Sequence, residues 1–138
     1  MITYVLAAIK EWFSDNTRIL RISYDDEPAT EIKSFLLTCA NASQYGNDAF
    51  IAPRASMRDG RIDIVVIKPV RIWHIPRLAY QLFHKKIDRN RHVVVRRAKK
   101  VVISTDNAEP FHFDGDNGEA VNRFEVEIIP SSLKIVGE

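Results

Sequence analysis

The chain has 138 residues, 46% of them hydrophobic and 28% charged, with 20 basic and 18 acidic side chains leaving a net charge of +2. That composition fits one soluble globular domain over residues 1–138, with chain enough for a sizeable core, and no apolar run approaches the roughly 20 residues of a membrane span. A single cysteine, Cys39, excludes an internal disulfide and fits a reducing, cytoplasmic setting, and the first residues lack the basic leader of a secretory signal.

Taken in chain order, Val5, Leu6, Ile9, Trp12 and Phe13 recur at spacings of three and four, which predicts a helix over Ile2 to Phe13. Arg18 to Tyr24 reads as a strand closed by the turn residues Asp25-Asp26-Glu27-Pro28. Glu31 to Ala40 reads as a second strand, apolar on both sides in its later half and so central to the core. Cys39, inside Phe-Leu-Leu-Thr-Cys-Ala, reads as a small core residue rather than a nucleophile. Arg61 to Lys68 is another buried strand, stopped by Pro69. Ile75, Leu78, Ala79, Leu82 and Phe83 give Val70 to His84 an amphipathic helical pattern, with Pro76 in its first turn. Val93 to Val95 and Lys100 to Ile103 supply one bent strand or two short ones. Glu109 to Phe113 and Arg123 to Ile129 alternate as strands around a turn-rich stretch, and Leu133 to Val136 closes the chain. Runs of strands with few helices predict a mainly β, α+β domain: a β-sandwich with two accessory helices rather than a parallel βαβ sheet.

Two acidic turns carry the candidate chemistry. The long polar stretch from Asn41 to Asp63 joins two strongly apolar strands and ends in Asp59-Gly60-x-x-Asp63. Its turn carboxylate and neighbouring carbonyls could converge on a hard cation, or the stretch could be a plain connecting loop. Asp114-Gly115-Asp116 places two carboxylates around a glycine at a hairpin tip. This suits a metal, or a base oriented by a second carboxylate, although Asp-Gly is also among the commonest hairpin turns. His74, His84, His92 and His112 show no zinc spacing. The five glycines are scattered, so no glycine-rich loop exists to cradle a triphosphate.

Eight of the twenty basic residues lie between Lys85 and Lys100 against one acid, Asp88. Such a block could meet nucleic-acid phosphates or anionic lipid, or be a solvated edge guarded against aggregation. Phe83 and Phe111 are not interleaved with it, which disfavours a base-stacking platform.

The order Asn41, Gly46, Ile51-Ala52-Pro53, Ala55, Asp59-Gly60, Asp63, then Asp114-Gly115-Asp116 and Val126-Glu127-Ile128-Ile129-Pro130, resembles the C-terminal domain of bacterial diacylglycerol kinases and sphingosine kinase-like lipid kinases. The resemblance implies the lipid-side β-sandwich of a two-domain kinase that phosphorylates a diacylglycerol- or sphingoid-like hydroxyl. ATP would be bound mainly by an N-terminal domain with a Gly-Gly-Asp-Gly-type loop, absent from this chain, so the chain alone would be inactive. It further implies that Asp59 is a side-chain ligand to a structural Mg²⁺, with carbonyls of Ser56 and Arg61 completing the site. Asp114 and Asp116 would face the interdomain cleft as the catalytic carboxylates, one ordering metal or water and the other accepting the lipid hydroxyl proton. The apolar sandwich would offer a dry place for an acyl chain. Two departures stand out: the family's usual glutamate is Asp116 here, one methylene shorter, and its Gly-Gly pair is Gly46-Asn47.

The partners implied are a lipid substrate, the N-terminal kinase domain and the inner membrane surface as a peripheral contact, with homo-oligomers through sandwich edges an addition. A non-catalytic module using the basic block on nucleic acid or an anionic membrane is the alternative from a different class.

Overall fold

The computed structural model describes residues 17–44 and 48–130. The predicted helix over Ile2 to Phe13, the Gly46-Asn47 pair and the predicted strand over Leu133 to Val136 lie outside these residues. Seven strands, β1 (Arg18–Tyr24), β2 (Thr30–Ser34), β3 (Leu36–Ala40), β4 (Ile62–Ile67), β5 (Val93–Ala98), β6 (Lys100–Phe113) and β7 (Asp116–Glu127), are described, with one α-helix, α1 (Ile75–Phe83). They form two antiparallel sheets, ordered β2-β1-β6-β7 and β3-β4-β5. The β-sandwich expectation holds, and the second accessory helix falls outside the described residues.

Alternation builds the sandwich. On β1, Leu20, Ile22 and Tyr24 turn inward while Arg21 and Ser23 face out. They meet Val101 and Ile103 of β6 and, from the other sheet, Ile62, Ile64 and Val66 of β4. The intervening positions of β4 are buried as well: Val65 and Ile67 pack with Leu78 of α1 and with Ile51 and Ala52 of the long loop. Every residue of β4 is therefore buried, because the sheet is covered on both faces. Several of the described side chains between the sheets are wholly buried.

Three strand boundaries differ from expectation, one of them the start of β7, at Asp116 rather than Arg123. The single strand over Glu31 to Ala40 breaks at Phe35, so that β2 edges one sheet and β3 edges the other. Phe35 N–H donates to the Ile67 carbonyl at 2.8 Å, fixing the bend. Lys100 to Ile103 and Glu109 to Phe113 belong to one long strand, β6, whose pairing with β7 shifts register between Ser104 and Phe111; a sequence period cannot show that a bulged ladder continues.

The crossing from β5 to β6, at Lys99, is held by the turn between β1 and β2. Asp25 and Asp26 both have positive φ, 46° and 65°, and Glu27 N–H closes the turn on the Tyr24 carbonyl. Asp25 Oδ1 accepts the N–H groups of Lys99 (2.7 Å) and Lys100 (3.0 Å), pinning the chain where it changes sheets. Those backbone donors, Lys100 first, hold the Asp25 carboxyl below its ordinary pKa.

Cys39 lies opposite Ile64 and packs against the inter-sheet core. Burial pushes its thiol up from the ordinary value to about 12. Alkylation by iodoacetamide at pH 8 should therefore run on the order of a thousandfold slower than for a free cysteine and become fast on unfolding. Because the thiol pKa is raised on folding, its contribution to stability is complete below about pH 9 and is lost as pH climbs towards 12. Rapid native alkylation would show Cys39 to be accessible.

Candidate functional site

The Asp59 turn is held by its own side chain. Arg61 N–H donates to Asp59 Oδ1 at 3.0 Å, and Gly60 takes φ +65°, a left-handed conformation that a β-carbon would strain. Ser56 Oγ accepts the Arg58 N–H at 3.3 Å, so two short side-chain bonds shape this stretch. Asp63 begins on the next strand, β4, on the face that the loop covers.

Arg97 joins these pieces. It is the cross-strand partner of Asp63, 34 residues away in sequence, and its Nε donates to Asp63 Oδ1 at 3.0 Å. Its Nη2 donates to the Arg54 carbonyl, and its Nη1 stands 4.0 Å from Asp59 Oδ2. The Asp63 hydrogen bond and charge, with Asp59 adding to them, raise the Arg97 pKa above its ordinary value. The Asp63 side chain is 2% exposed, and its second oxygen, Oδ2, is buried without a hydrogen-bond partner. The orphaned Asp63 oxygen and the nearby Asp59 carboxylate are donors of the kind that suits a small hard cation. Among the described residues no group of three or more His, Cys, Asp or Glu side chains gathers for a metal, so such an ion would depend on carbonyls.

Asp114 and Asp116 lie at the far end of the β6–β7 hairpin. Asp114 (φ +49°) and Gly115 (φ +97°) are the two central residues of the turn, with Phe113 paired to Asp116 across its mouth. Positive φ at both positions is the type I′ geometry that matches strand twist, and Asp-Gly is one of the few pairs that adopt it cheaply. Both carboxylates are exposed. β6 pairs with β1 from Val101 to Ser104, and Arg21 and Arg18 of β1 reach Asp106 and Glu109, so the part of the hairpin beyond Glu109 reaches past β1. It is stiffened by Phe111, whose ring meets Phe124 edge-on at 5.1 Å and covers Gly118, where any β-carbon would clash with that ring. Phe113 is 73% exposed beside the acidic tip.

The two acidic turns do not share one site. Gly60 faces Pro130, just beyond the end of β7 that pairs with Lys100, whereas Asp114 caps the other end of the same ladder. Thirteen steps of strand separate Lys100 from Phe113, on the order of 40 Å at the usual rise.

The basic block is dispersed by the fold. Arg96 lies over the Tyr24 ring at 4.3 Å and reaches Glu27 at 3.2 Å, Arg97 is committed to Asp63, and Lys100 pairs with Glu125 at 2.7 Å. Lys85 stands over the Phe50 ring at 4.3 Å. Spacing along the chain could not reveal Arg97 as the hub of the Asp59 turn, since its partners come from the β4–β5 register.

Residues 1–137 match the family described as the YegS C-terminal NAD kinase beta sandwich-like domain. A diacylglycerol kinase from Bacillus subtilis (strain 168) is 25% identical over 88 residues, which cover 64% of this chain and 28% of that protein. Two crystal structures from Bacillus anthracis str. Sterne, one of them described as a diacylglycerol kinase, superpose with TM-scores of 0.71 and 0.67 at 21% identity. The superpositions cover 92% and 91% of this chain but 43% and 42% of those chains, so the shared unit is less than half of each.

Proposed function

The chain belongs to the family of YegS C-terminal NAD kinase beta sandwich-like domains, and from that premise we propose that it is the lipid-side domain of a kinase that transfers the ATP phosphoryl group to a hydroxyl of a diacylglycerol- or sphingoid-like lipid. The observation that carries the reading is the projecting β6–β7 hairpin. A type I′ tip presents exposed Asp114 and Asp116 beyond the sheet, and among the described residues no hydrogen bond or ion pair takes up their carboxylates. In the working enzyme ATP is held by a further domain, as the partial coverage of the relatives suggests. One carboxylate of the tip then accepts the proton of the attacking hydroxyl, and its neighbour orients it or a metal-bound water. Mg²⁺ accompanying ATP neutralises charge on the phosphates.

A second Mg²⁺ is proposed at the Asp59 turn, with the carbonyls of Ser56 and Arg61 as further ligands and a purely structural role. The orphaned Asp63 Oδ2, with the Asp59 carboxylate on the other side of Arg97, supports it. Mg²⁺ at a hundred times its dissociation constant should stabilise the fold by about 2.7 kcal/mol. The effect would be read as a thermal shift that EDTA reverses and Asp59→Ala removes. An unchanged melting curve with Mg²⁺ would remove the ion from this turn.

The kinase reading is tested by presenting mixed micelles of diacylglycerol or sphingosine, with labelled ATP, to the protein that contains this chain. Labelled lipid phosphate is the expected product, and its absence with every lipid alcohol offered would overturn the reading. The binding-module alternative gains little, because Arg96, Arg97 and Lys100 are paired with acids rather than gathered on one face.

A further inference from the structure

Between Asp63 and Asp88 the chain has no acidic side chain, while Lys68, Arg71, Arg77, Lys85 and Lys86 are basic. This segment contains α1. The helix turns Leu78 and Gln81 inward and stops at Lys85, which takes the left-handed conformation (φ +56°) while Lys86 N–H reaches back to the Gln81 carbonyl at 2.8 Å. The opposite side carries Trp73, Arg77, Tyr80 and His84 at steps of four, three and four, so they follow one line. The Tyr80 ring stacks on His84 at 3.9 Å, and the Arg71 guanidinium lies 5.3 Å over Trp73.

This face is apolar where most helices are polar. Trp73 is 63% exposed, Tyr80 55%, Ile72 44% and Phe83 38%. Single exposed apolar residues are ordinary, but four large ones along one short segment, among cations and without an acid, form a patch that calls for a partner. The positive field extends past the helix: burial, then the charges of Arg91, His74 and Lys68, hold the His92 imidazole below its ordinary pKa. His74 and His92 pack ring to ring at 5.1 Å.

The chemistry selects among occupants. Trp and Tyr prefer the boundary between hydrocarbon and water, where an apolar ring and a polar edge are both satisfied. Arg and Lys around them suit anionic headgroups, and Ile72 and Phe83 need an apolar medium that a phosphate backbone does not offer. We propose that the acid-free face formed by Arg71, Ile72, Trp73, Arg77, Tyr80 and Phe83 seats the protein on an anionic lipid bilayer. This deepens the kinase reading and rests on it for the biological setting, since an enzyme whose substrate is dissolved in a bilayer has to sit on that bilayer.

The test uses the protein with vesicles of phosphatidylcholine alone or mixed with phosphatidylglycerol. Flotation with the mixed vesicles and weak flotation with the neutral ones are expected, with binding weakened by salt. Arg71→Gln with Arg77→Gln should lower the affinity for anionic vesicles roughly 25-fold, about fivefold per charge. Brominated lipid should quench tryptophan fluorescence in the parent and far less in Trp73→Phe, a change that keeps a ring at the site. Equal flotation of the charge variant, or equal quenching without Trp73, would place the contact elsewhere and overturn the proposal. So would Trp73 already shielded from acrylamide without lipid, meaning that the protein itself covers this face, or a preference for RNA or an acidic polypeptide over vesicles. A soluble short-chain diacylglycerol separates the two readings. The charge variant should phosphorylate it as the parent does and lose activity only on vesicle substrate, whereas no transfer to either substrate by the parent would defeat the kinase reading and leave the vesicle result standing.

Discussion

On the proposed kinase reading, Asp114→Asn, made in the protein that contains this chain, is expected to lower phosphate transfer at least about a hundredfold, the scale of losing a general base. The substitution isolates the carboxylate chemistry from the fold. Asp114 sits at φ +49° in a type I′ turn, and asparagine followed by glycine adopts that turn at least as readily as aspartate does. The side chain is exposed and the hairpin is held by Phe111 against Phe124, so the unfolding midpoint should not move. Alanine at the same position would be a poorer probe, because it would strain the turn while removing the acid. Asp116→Glu restores the length usual in the lipid kinases that the sequence resembles and should keep transfer within a few-fold of the parent, as a change of reach with no change of charge. Initial rates on mixed micelles and a thermal melt together decide the matter. Undiminished transfer by Asp114→Asn would remove Asp114 from the mechanism.

The largest stability effect is expected at Arg97. Arg97→Met keeps most of the side-chain length but strands the Asp63 carboxylate, which is buried at the foot of β4. Removing one partner of a fully buried pair costs about 3–5 kcal/mol. Arg97 is 40% exposed, so water can reach the bereft oxygen and the expected cost falls to about 2–3 kcal/mol. For a domain of this size that is a drop of roughly 6–10 °C in melting temperature. Asp63→Asn added to Arg97→Met should recover part of the loss, since the amide needs no counter-charge, and the double-mutant cycle reads the coupling directly. A single variant as stable as the parent would mean that Arg97 does not hold this turn.

How much of this was legible in the sequence varies by element. Period-two alternation in Arg18 to Tyr24 and the continuous apolar run in β4 identify their strands, because local side-chain direction and burial leave a direct trace. The amphipathic period around Leu78 and Leu82 likewise marks α1, with the first part of the predicted span taken up by a 3-10 turn at Ile72–His74. The break at Phe35 left no such trace. Both halves of that stretch are apolar enough for one strand, and only the divergence of two sheets demands a bend. The joined length of β6 was hidden for a related reason: Asp106 to Ala108 look like a loop, yet β7 supplies a partner across the irregularity.

The candidate residues divide the same way. Turn chemistry alone set Asp59-Gly60 and Asp114-Gly115 at turns, since positive φ favours those residue types whatever surrounds them. It also marked the acidic pairs from which a kinase resemblance could be drawn. Tertiary structure decided the rest. It placed the two turns at opposite ends of one hairpin, supplied Arg97 to Asp63 through strand register and spread the basic block among separate partners. Each of these depends on which distant segments meet, and strand pairing is written in no local period. Sequence fixes what each turn can do, and packing fixes what each turn is next to.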